Sequence, residues 1–548
     1  MLRSIKSHPI FVPLMEKGKS PININFLDSL LDCYPNTEDA DYLKNGFRYG
    51  FSLGYSGPRV PKECKNLKSI FEFESVAREK IMAEVNAGRM AGPYTLKPIS
   101  NLRISPIGLV PKRTGGFRLI THMSFPYLDS VNDYIDPELT RVKYSDFDNA
   151  VSMVRRLGQG TWMGKMDLKN AFRLLPCYPG DFDLLGIKLN DQYFIDKCMP
   201  MGCSISCSTF ENFSSFIEWE IKTRTCSEDI DHYLDDFIFM AIIKEQCQYL
   251  LDEFSQLCQE LGVPVADEKT VGPVTCLTYL GYELDSVAME IRIPQDKLKE
   301  ILQQIETFLS KPKVTLRQLQ SLTGSLAFCA KAMPSARAFV RRMYSAMKYA
   351  KRPFHKVRVT KGMREDISMW KLFLTEYNGV SLMLKNGWSS SGDLQLFTDS
   401  AGHSKFGCGV YFNGAWTFLQ WPEKWDKREI LSDITYLEMV PIALACCLWK
   451  ERFYSLKINF NSDNMAVVQI LNSKSSKSDR VMSLVRLIVQ WSMECSFHVK
   501  AVHVPGVNNK ICDSISRMQW ETFRRLAPAA DSQPTPIPER FWTYLETK

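Results

Sequence analysis

Seven acidic residues end or interrupt apolar runs in this chain, and they fall into two groups. The first is Asp167 with Asp235 and Asp236, and the second is Asp399, Glu438, Asp463 and Asp513. Carboxylates gathered in one place repel one another unless cations neutralise them, so a fold that collects them points to divalent metal ions. Each group sits in the local context that two-metal phosphate chemistry requires. The chain must therefore fold so that strand ends and helices far apart in sequence converge twice.

A length of 548 residues exceeds what one hydrophobic core supports and predicts two to four domains. With 45% hydrophobic and 24% charged residues the composition is that of an ordinary globular protein. The net charge of +7 is modest, but its distribution is uneven. Between Arg337 and Arg364 stand ten Lys or Arg residues and no Asp or Glu, interleaved with Tyr344, Tyr349 and Phe354. Such a surface neutralises phosphates while packing on sugars and bases. The 16 cysteines form no Cys-x-x-Cys pair and no zinc-finger spacing, which reads as reduced thiols. Apolar stretches such as Phe237 to Ile243 are too short to span a membrane, and Lys6, His8, Pro9 and Pro13 interrupt any secretory core. The expectation is an intracellular protein, of cytoplasm or nucleus, without a membrane partner.

Residues 1–58 read as a helical, aromatic extension without chemistry. Gly18-Lys19-Ser20 imitates the end of a phosphate-binding loop, but Pro13 occupies the required earlier glycine position. From about 95 to 290 strand-like runs alternate with helical segments in an α+β pattern. Helical stretches follow over Asp296 to Leu309 and Thr315 to Ala332, the latter with Thr315 as N-cap. The break Gly387-Trp388-Ser389-Ser390-Ser391-Gly392 introduces a new α/β segment, and the Pro-containing tail from about 527 reads as poorly ordered.

In Ile230-Asp231-His232-Tyr233-Leu234-Asp235-Asp236-Phe237-Ile238-Phe239-Met240, apolar runs flank an acidic tip, which predicts a tight β-hairpin presenting two carboxylates. The run Thr161 to Asp167 predicts a strand ending in an acid, with Phe172 five residues on. If Asp167 and Asp235 share two Mg²⁺ ions, those ions lower the pKa of an attacking 3′-hydroxyl and stabilise leaving pyrophosphate. Phe172 would then lie beneath the incoming sugar and exclude a 2′-hydroxyl. Met201-Gly202, followed by small side chains, would let a base pair and template approach closely.

These motifs resemble those of reverse transcriptases. The resemblance implies that Lys112 and Arg118 contact the triphosphate and that Tyr233, Asp235 and Asp236 form the metal-bearing hairpin. It also implies Lys269 as general acid and Tyr279, Leu280 and Gly281 as primer grip. Two departures are Met201, where retroviral enzymes usually have Gln, and Cys207, where Pro is frequent.

In the C-terminal third, Leu394 to Ala401 reads as a strand ending at Asp399, with Gly407 to Phe412 as its paired strand. Glu438 lies in a helix running to Leu448, Ile458 to Asp463 is a strand ending in acid, and Asp513 stands at a helix start where the dipole tolerates a carboxylate. Four acids on two strands and two helices can hold two divalent ions that activate water against a phosphodiester. This pattern resembles ribonuclease H, without the histidine loop before the last aspartate. His503 precedes the Pro505-Gly506 turn and is read as structural.

The Gly46 to Phe51 run, Leu316 to Gly324 and the ending Asp513-Ser514-Ile515-Ser516-Arg517 are most similar to the DIRS class of retrotransposons, which also encode a tyrosine recombinase. The resemblance implies a right-hand polymerase of fingers, palm and thumb followed by an RNase H-like α/β domain. The expected boundaries are 1–58 for the extension, 59–290 for fingers and palm, 291–386 for thumb and basic connection, 387–525 for the nuclease and 526–548 for the tail. The implied activity is RNA- and DNA-templated DNA synthesis with RNase H cleavage. Two Mg²⁺ per site, or Mn²⁺ in their place, are the cofactors, and the partners are dNTPs, RNA template, DNA primer and RNA/DNA hybrid. The alternative is a domesticated, non-catalytic nucleic-acid-binding scaffold of the same fold.

Overall fold

Asn23 and Asn36 cap the helices Ile24–Leu31 and Thr37–Tyr49. Each side-chain oxygen accepts a backbone N–H three residues on, from Phe26 at 3.3 Å and from Asp39 at 3.2 Å. The helices Ile24–Leu31 and Thr37–Tyr49 are too short to stand alone and gain their stability from packing. The computed structural model describes residues 14–112, 115–376, 381–382, 387–427, 430–505 and 509–546. These form two compact units, Met1–Leu277 and Thr278–Lys548.

In the first unit the two N-terminal helices bury Leu27, Leu31, Leu43 and Phe47 in one core with Phe210, Phe213 and Phe216. Phe47 meets Phe213 edge-on at 4.9 Å, and Asn23 N donates to the Leu261 carbonyl at 2.9 Å. From residue 14 onward the expected extension is thus part of the first unit, because its apolar helix faces pack into that unit's core.

The centre of that unit is a four-stranded antiparallel sheet ordered Val271–Val274, Trp162–Asp167, Asp236–Ala241, Ile230–Tyr233. Phe237 to Met240 are all buried, as expected of a strand covered on both faces. Helices Ser206–Thr225 and Lys244–Leu261 cover it. A five-stranded mixed sheet and the hairpin Ile107–Pro111 with Phe117–Thr121 complete the unit.

The second unit opens on a hairpin whose turn is Leu280-Gly281. Both turn residues have positive φ, +46° and +85°, as a two-residue type I′ turn requires. Residues 278–290, expected with fingers and palm, belong to this unit. Helices Gln295–Leu309, Leu316–Ala332 and Lys361–Glu376 follow. Thr315 caps the second as predicted, and its reciprocal bond with Gln318 completes a capping box.

Beyond them a three-stranded antiparallel sheet, Leu396–Ser400, Gly407–Phe412 and Ala415–Gln420, lies beside the parallel pair Lys457–Ser462 and His498–His503. Helix Ile434–Trp449 is apolar on nearly every side and runs between the sheet and helix Asp479–Glu494. The mixed α+β class is as expected.

The tail differs from expectation. Ala527, Ala530, Phe541 and Leu545 are buried, and Trp416 Nε1 donates to the Asp531 carbonyl at 2.8 Å. Arg524 donates to the carbonyls of Ala530, Asp531 and Ser532. Prolines keep this segment from forming long regular elements, but its side chains still find a core. Among the described residues no helix is long and apolar enough to cross a membrane, and no disulfide forms.

Candidate active sites

The predicted acidic hairpin forms. Tyr233 pairs with Asp236, leaving Leu234 and Asp235 as a two-residue turn. Leu234 adopts φ +54°, a conformation that costs a side-chain-bearing residue about 1 kcal/mol. The neighbouring strand places Asp167 directly opposite Asp236, so both carboxylates rise on the same face of the sheet. Leu168 N donates to the Asp235 carbonyl at 2.9 Å and Ala266 N to that of Asp167 at 2.8 Å, which ties the end of the Asp167 strand to the hairpin turn on one side and to the segment before Asp267 on the other.

Burial pushes the Asp235 carboxyl up to about 6, and the charges of Asp167 and Asp236 push the same way against a backbone hydrogen bond and Lys269. Asp236 is raised for like reasons, burial first and then Asp167. Lys269, in the 3₁₀ turn Asp267–Lys269, donates to both Asp167 oxygens, and that contact raises its own pKa.

Asp167, Asp235 and Lys269 line one cleft with Lys112, Arg118 and Met201. Six residues expected at the site from the sequence thus share a single depression. Phe172 is half-buried, with Phe210 edge-on at 5.8 Å, and Tyr233 lies 5.0 Å from the Tyr144 ring. Gly202 has φ +116°, and a Cβ there would fall 2.0 Å from the Thr121 carbonyl oxygen. The segment that needs this glycine's missing side chain is the chain's own strand Phe117–Thr121, so the residue is explained before any template is considered. Tyr279 is buried beside the Leu280-Gly281 turn of the second unit, where a Cβ on Gly281 would come 3.2 Å from the Phe328 ring.

The basic run divides into two kinds of residue. Arg342 pairs with Asp366 at 3.1 Å and Arg364 donates to the carbonyls of Leu309 and Lys311, so both serve the fold. Tyr344, Tyr349 and Phe354 are exposed, Tyr349 at 91%.

In the second acidic set, Asp399 is the penultimate residue of its strand, and Asp463 follows the last residue of Lys457–Ser462. Helix Ile434–Trp449 contains one carboxylate, Glu438, among buried apolar residues. Such a group is costly unless it has a partner. Ser400 Oγ donates to Glu438 at 2.9 Å, and Ser516 Oγ and Asn509 Nδ2 donate to Asp399 at 2.8 and 3.4 Å. Burial pushes Asp399 up to about 7; the Ser516 hydrogen bond opposes it, and the charges of Asp513 and Asp463 add to it. Burial and then Asp399 push Glu438 up to about 8.

Asp399, Glu438 and Asp463 line a shared pocket with Asn509. Asp513, in helix Lys510–Ser516, is held at 2.7 Å by Arg517. Sequence reasoning did not single out Ser400, Asn509 or Ser516 as site residues. Ser516 lies three residues after Asp513, on the same helix face, and that spacing was the available signal. Residues 506–508, which contain the expected turn after His503, lie outside the described residues.

Among the described residues, neither acidic set brings three ligand atoms within 4.8 Å of one another; Glu218, Asp231 and His232 do. His232 is buried, forms an ion pair with Glu218, and has Glu211 at 3.4 Å. It sits one residue before the Tyr233 to Asp236 hairpin.

Residues 110–284 match the family model "Reverse transcriptase (RNA-dependent DNA polymerase)", and the chain carries a reverse transcriptase domain there. Protein P of duck hepatitis B virus (strain China) is 26% identical over 204 residues, which is 36% of this chain and 25% of that protein. The Transposon Tf2-7 polyprotein of Schizosaccharomyces pombe (strain 972 / ATCC 24843) is 19% identical over 448 residues, 80% of this chain and 30% of that polyprotein. The chain thus spans about a quarter to a third of the length of these relatives. A foamy viral protease-reverse transcriptase in complex with dsDNA aligns with TM-score 0.49 and 14% identity over 88% of this chain and 97% of that one.

Proposed function

We propose that this chain, with its reverse transcriptase domain, is a retroelement polymerase that copies RNA and DNA templates into DNA and cleaves the RNA of RNA/DNA hybrids. The observation that carries the polymerase reading is the register that sets Asp236 opposite Asp167 beneath the Leu234-Asp235 turn, with Lys269 against Asp167. The donor set fits divalent cations: three acids share one end of a sheet, and burial and mutual repulsion hold two of them above their ordinary range.

Asp167, Asp235 and Asp236 would hold two Mg²⁺ ions, and Asp399, Glu438, Asp463 and Asp513 another two, with Mn²⁺ as a substitute. When bound, these ions supply Lewis acidity to the attacking oxygen and charge neutralisation to the leaving one. Lys112 and Arg118 attract the triphosphate into the cleft. Lys269, its pKa raised by Asp167, stays protonated at neutral pH and can donate its proton to leaving pyrophosphate. Phe172, Met201, Gly202 and Tyr233 shape the nucleotide pocket, while Tyr279, Leu280 and Gly281 hold the primer. The exposed lysines and arginines of the basic segment, with the aromatics among them, bind duplex in a salt-sensitive way. The ending Asp513 to Arg517 supports placement in the DIRS class, with a tyrosine recombinase as partner.

Asp235→Asn tests the reading. Extension of a primer on RNA and DNA templates should be lost while hybrid cleavage remains; persistent extension would overturn the metal assignment. A non-catalytic scaffold is the second reading, and seven retained, mutually repulsive acids speak against it.

A further inference from the structure

Arg173 follows Phe172 in the 3₁₀ turn Ala171–Leu174 that comes just after Asp167. Its side chain is only 11% exposed, yet it contributes to the wall of the cleft that Asp167 and Met201 line. Nη1 donates to Asp196 Oδ2 at 2.9 Å and to the carbonyls of Cys198 at 3.1 Å and Met199 at 3.3 Å. Nε donates to Glu84 at 2.9 Å, and Nη2 lies 2.9 Å from Glu84, 2.8 Å from Asp196 and 3.5 Å from the Arg89 carbonyl. Glu84 also holds Arg89 at 2.7 and 2.9 Å, so two guanidinium groups face two carboxylates and the charges balance.

A guanidinium offers five N–H donors, and all three of its nitrogens face acceptors of the chain itself. It is held by the fold rather than presented to a triphosphate. What it does instead is join three segments distant in sequence: the turn bearing Phe172, the approach Cys198-Met199 to Pro200-Met201-Gly202, and helix Glu74–Asn86. Two of them carry residues assigned above to the nucleotide pocket.

We propose that Arg173 is a positioning residue that sets the spacing between the Phe172 turn and the Met201 loop, and so tunes affinity for the incoming nucleotide and selection against its 2′-hydroxyl. The inference rests on the polymerase reading. Lysine cannot replace it, because a single ammonium cannot hold two carboxylates in plane and reach two carbonyls as well.

The test is single-nucleotide primer extension by the full chain with titrated dNTP and rNTP, alongside hybrid cleavage and thermal melting. Arg173→Lys should raise KM for dNTP about tenfold, with kcat within about threefold, and narrow the dNTP/rNTP preference while hybrid cleavage holds. Asp196→Asn and Glu84→Gln, which keep the arginine and remove one of its carboxylate charges, should move KM in the same direction and serve if Arg173→Lys does not fold. KM and sugar preference equal to wild type in the folded variants would make Arg173 a core ion pair and overturn the inference alone. A wild-type chain that extends no primer would overturn the polymerase reading and the inference with it.

Discussion

Lys269 grips Asp167 through both carboxylate oxygens, at 2.8 and 2.9 Å. An ammonium at this position competes with any cation for the same acid while also lowering the repulsion among the three carboxylates. Lys269→Gln removes both effects. The variant should bind Mn²⁺ roughly three- to tenfold tighter, a modest figure because the lysine is more than half exposed and water screens it. Titration by paramagnetic relaxation measures this. Equal affinity would show that the pair is incidental.

His232 anchors the strand that leads into the acidic hairpin. Burial works against its charge, but Glu211 and Glu218 outweigh burial and push its pKa up to about 9 from an ordinary 6.5. A group raised on folding stabilises fully below its unfolded pKa and loses that contribution as pH climbs through the folded one. Protection of the Ile230–Tyr233 amides against hydrogen exchange should therefore decline between pH 6.5 and 9, and His232→Gln should flatten the decline. A pH-independent opening free energy in the wild type would refute this.

Asp399 and Glu438 act in the same sense, over a lower pH range. Their folded pKa values of about 7 and 8 lie above the ordinary 3.8 and 4.5, so the folded state retains protons that the unfolded chain has released. Stability should then fall as pH rises from about 4 to 8 when cations are chelated, as the acids ionise against burial and each other. Added Mg²⁺ should raise the melting temperature of wild type more at pH 8.5 than at pH 6, by about 5 °C. The double variant Asp399→Asn, Glu438→Gln should lose that difference; an equal Mg²⁺ response at both pH values in wild type would argue against a cation site.

Gly202 allows the loop after Pro200 to lie against Thr121. Gly202→Ala combines a φ of +116° with a contact of 2.0 Å to a carbonyl that the strand cannot move. A loss of about 3 kcal/mol or more in chemical denaturation is expected. A well-folded alanine variant of wild-type stability would mean that the loop has another low-energy path.

Features governed by neighbouring residues could be read from the chain directly. The Tyr233 to Asp236 turn, the strand ending at Asp167 and the cap at Thr315 each depend on a few adjacent residues, and all three form where expected. Features governed by distant residues could not. Asn509 and Ser516 reach Asp399 only because a helix more than a hundred positions later folds back over its strand. The tail after Leu526 carries the proline content of a linker, yet Trp416 and Arg524 capture its backbone. The N-terminal helices showed their apolar faces but not the surface that covers them.

The loop joining Ile230–Tyr233 to Asp236–Ala241 has no slack. One residue inserted or deleted there would turn Phe237, Ile238, Phe239 and Met240 to opposite faces and carry Asp236 away from Asp167. Variation at this tip is therefore confined to exchanging one side chain for another at constant length, and changes of chain length have to be accommodated in other connections of the domain.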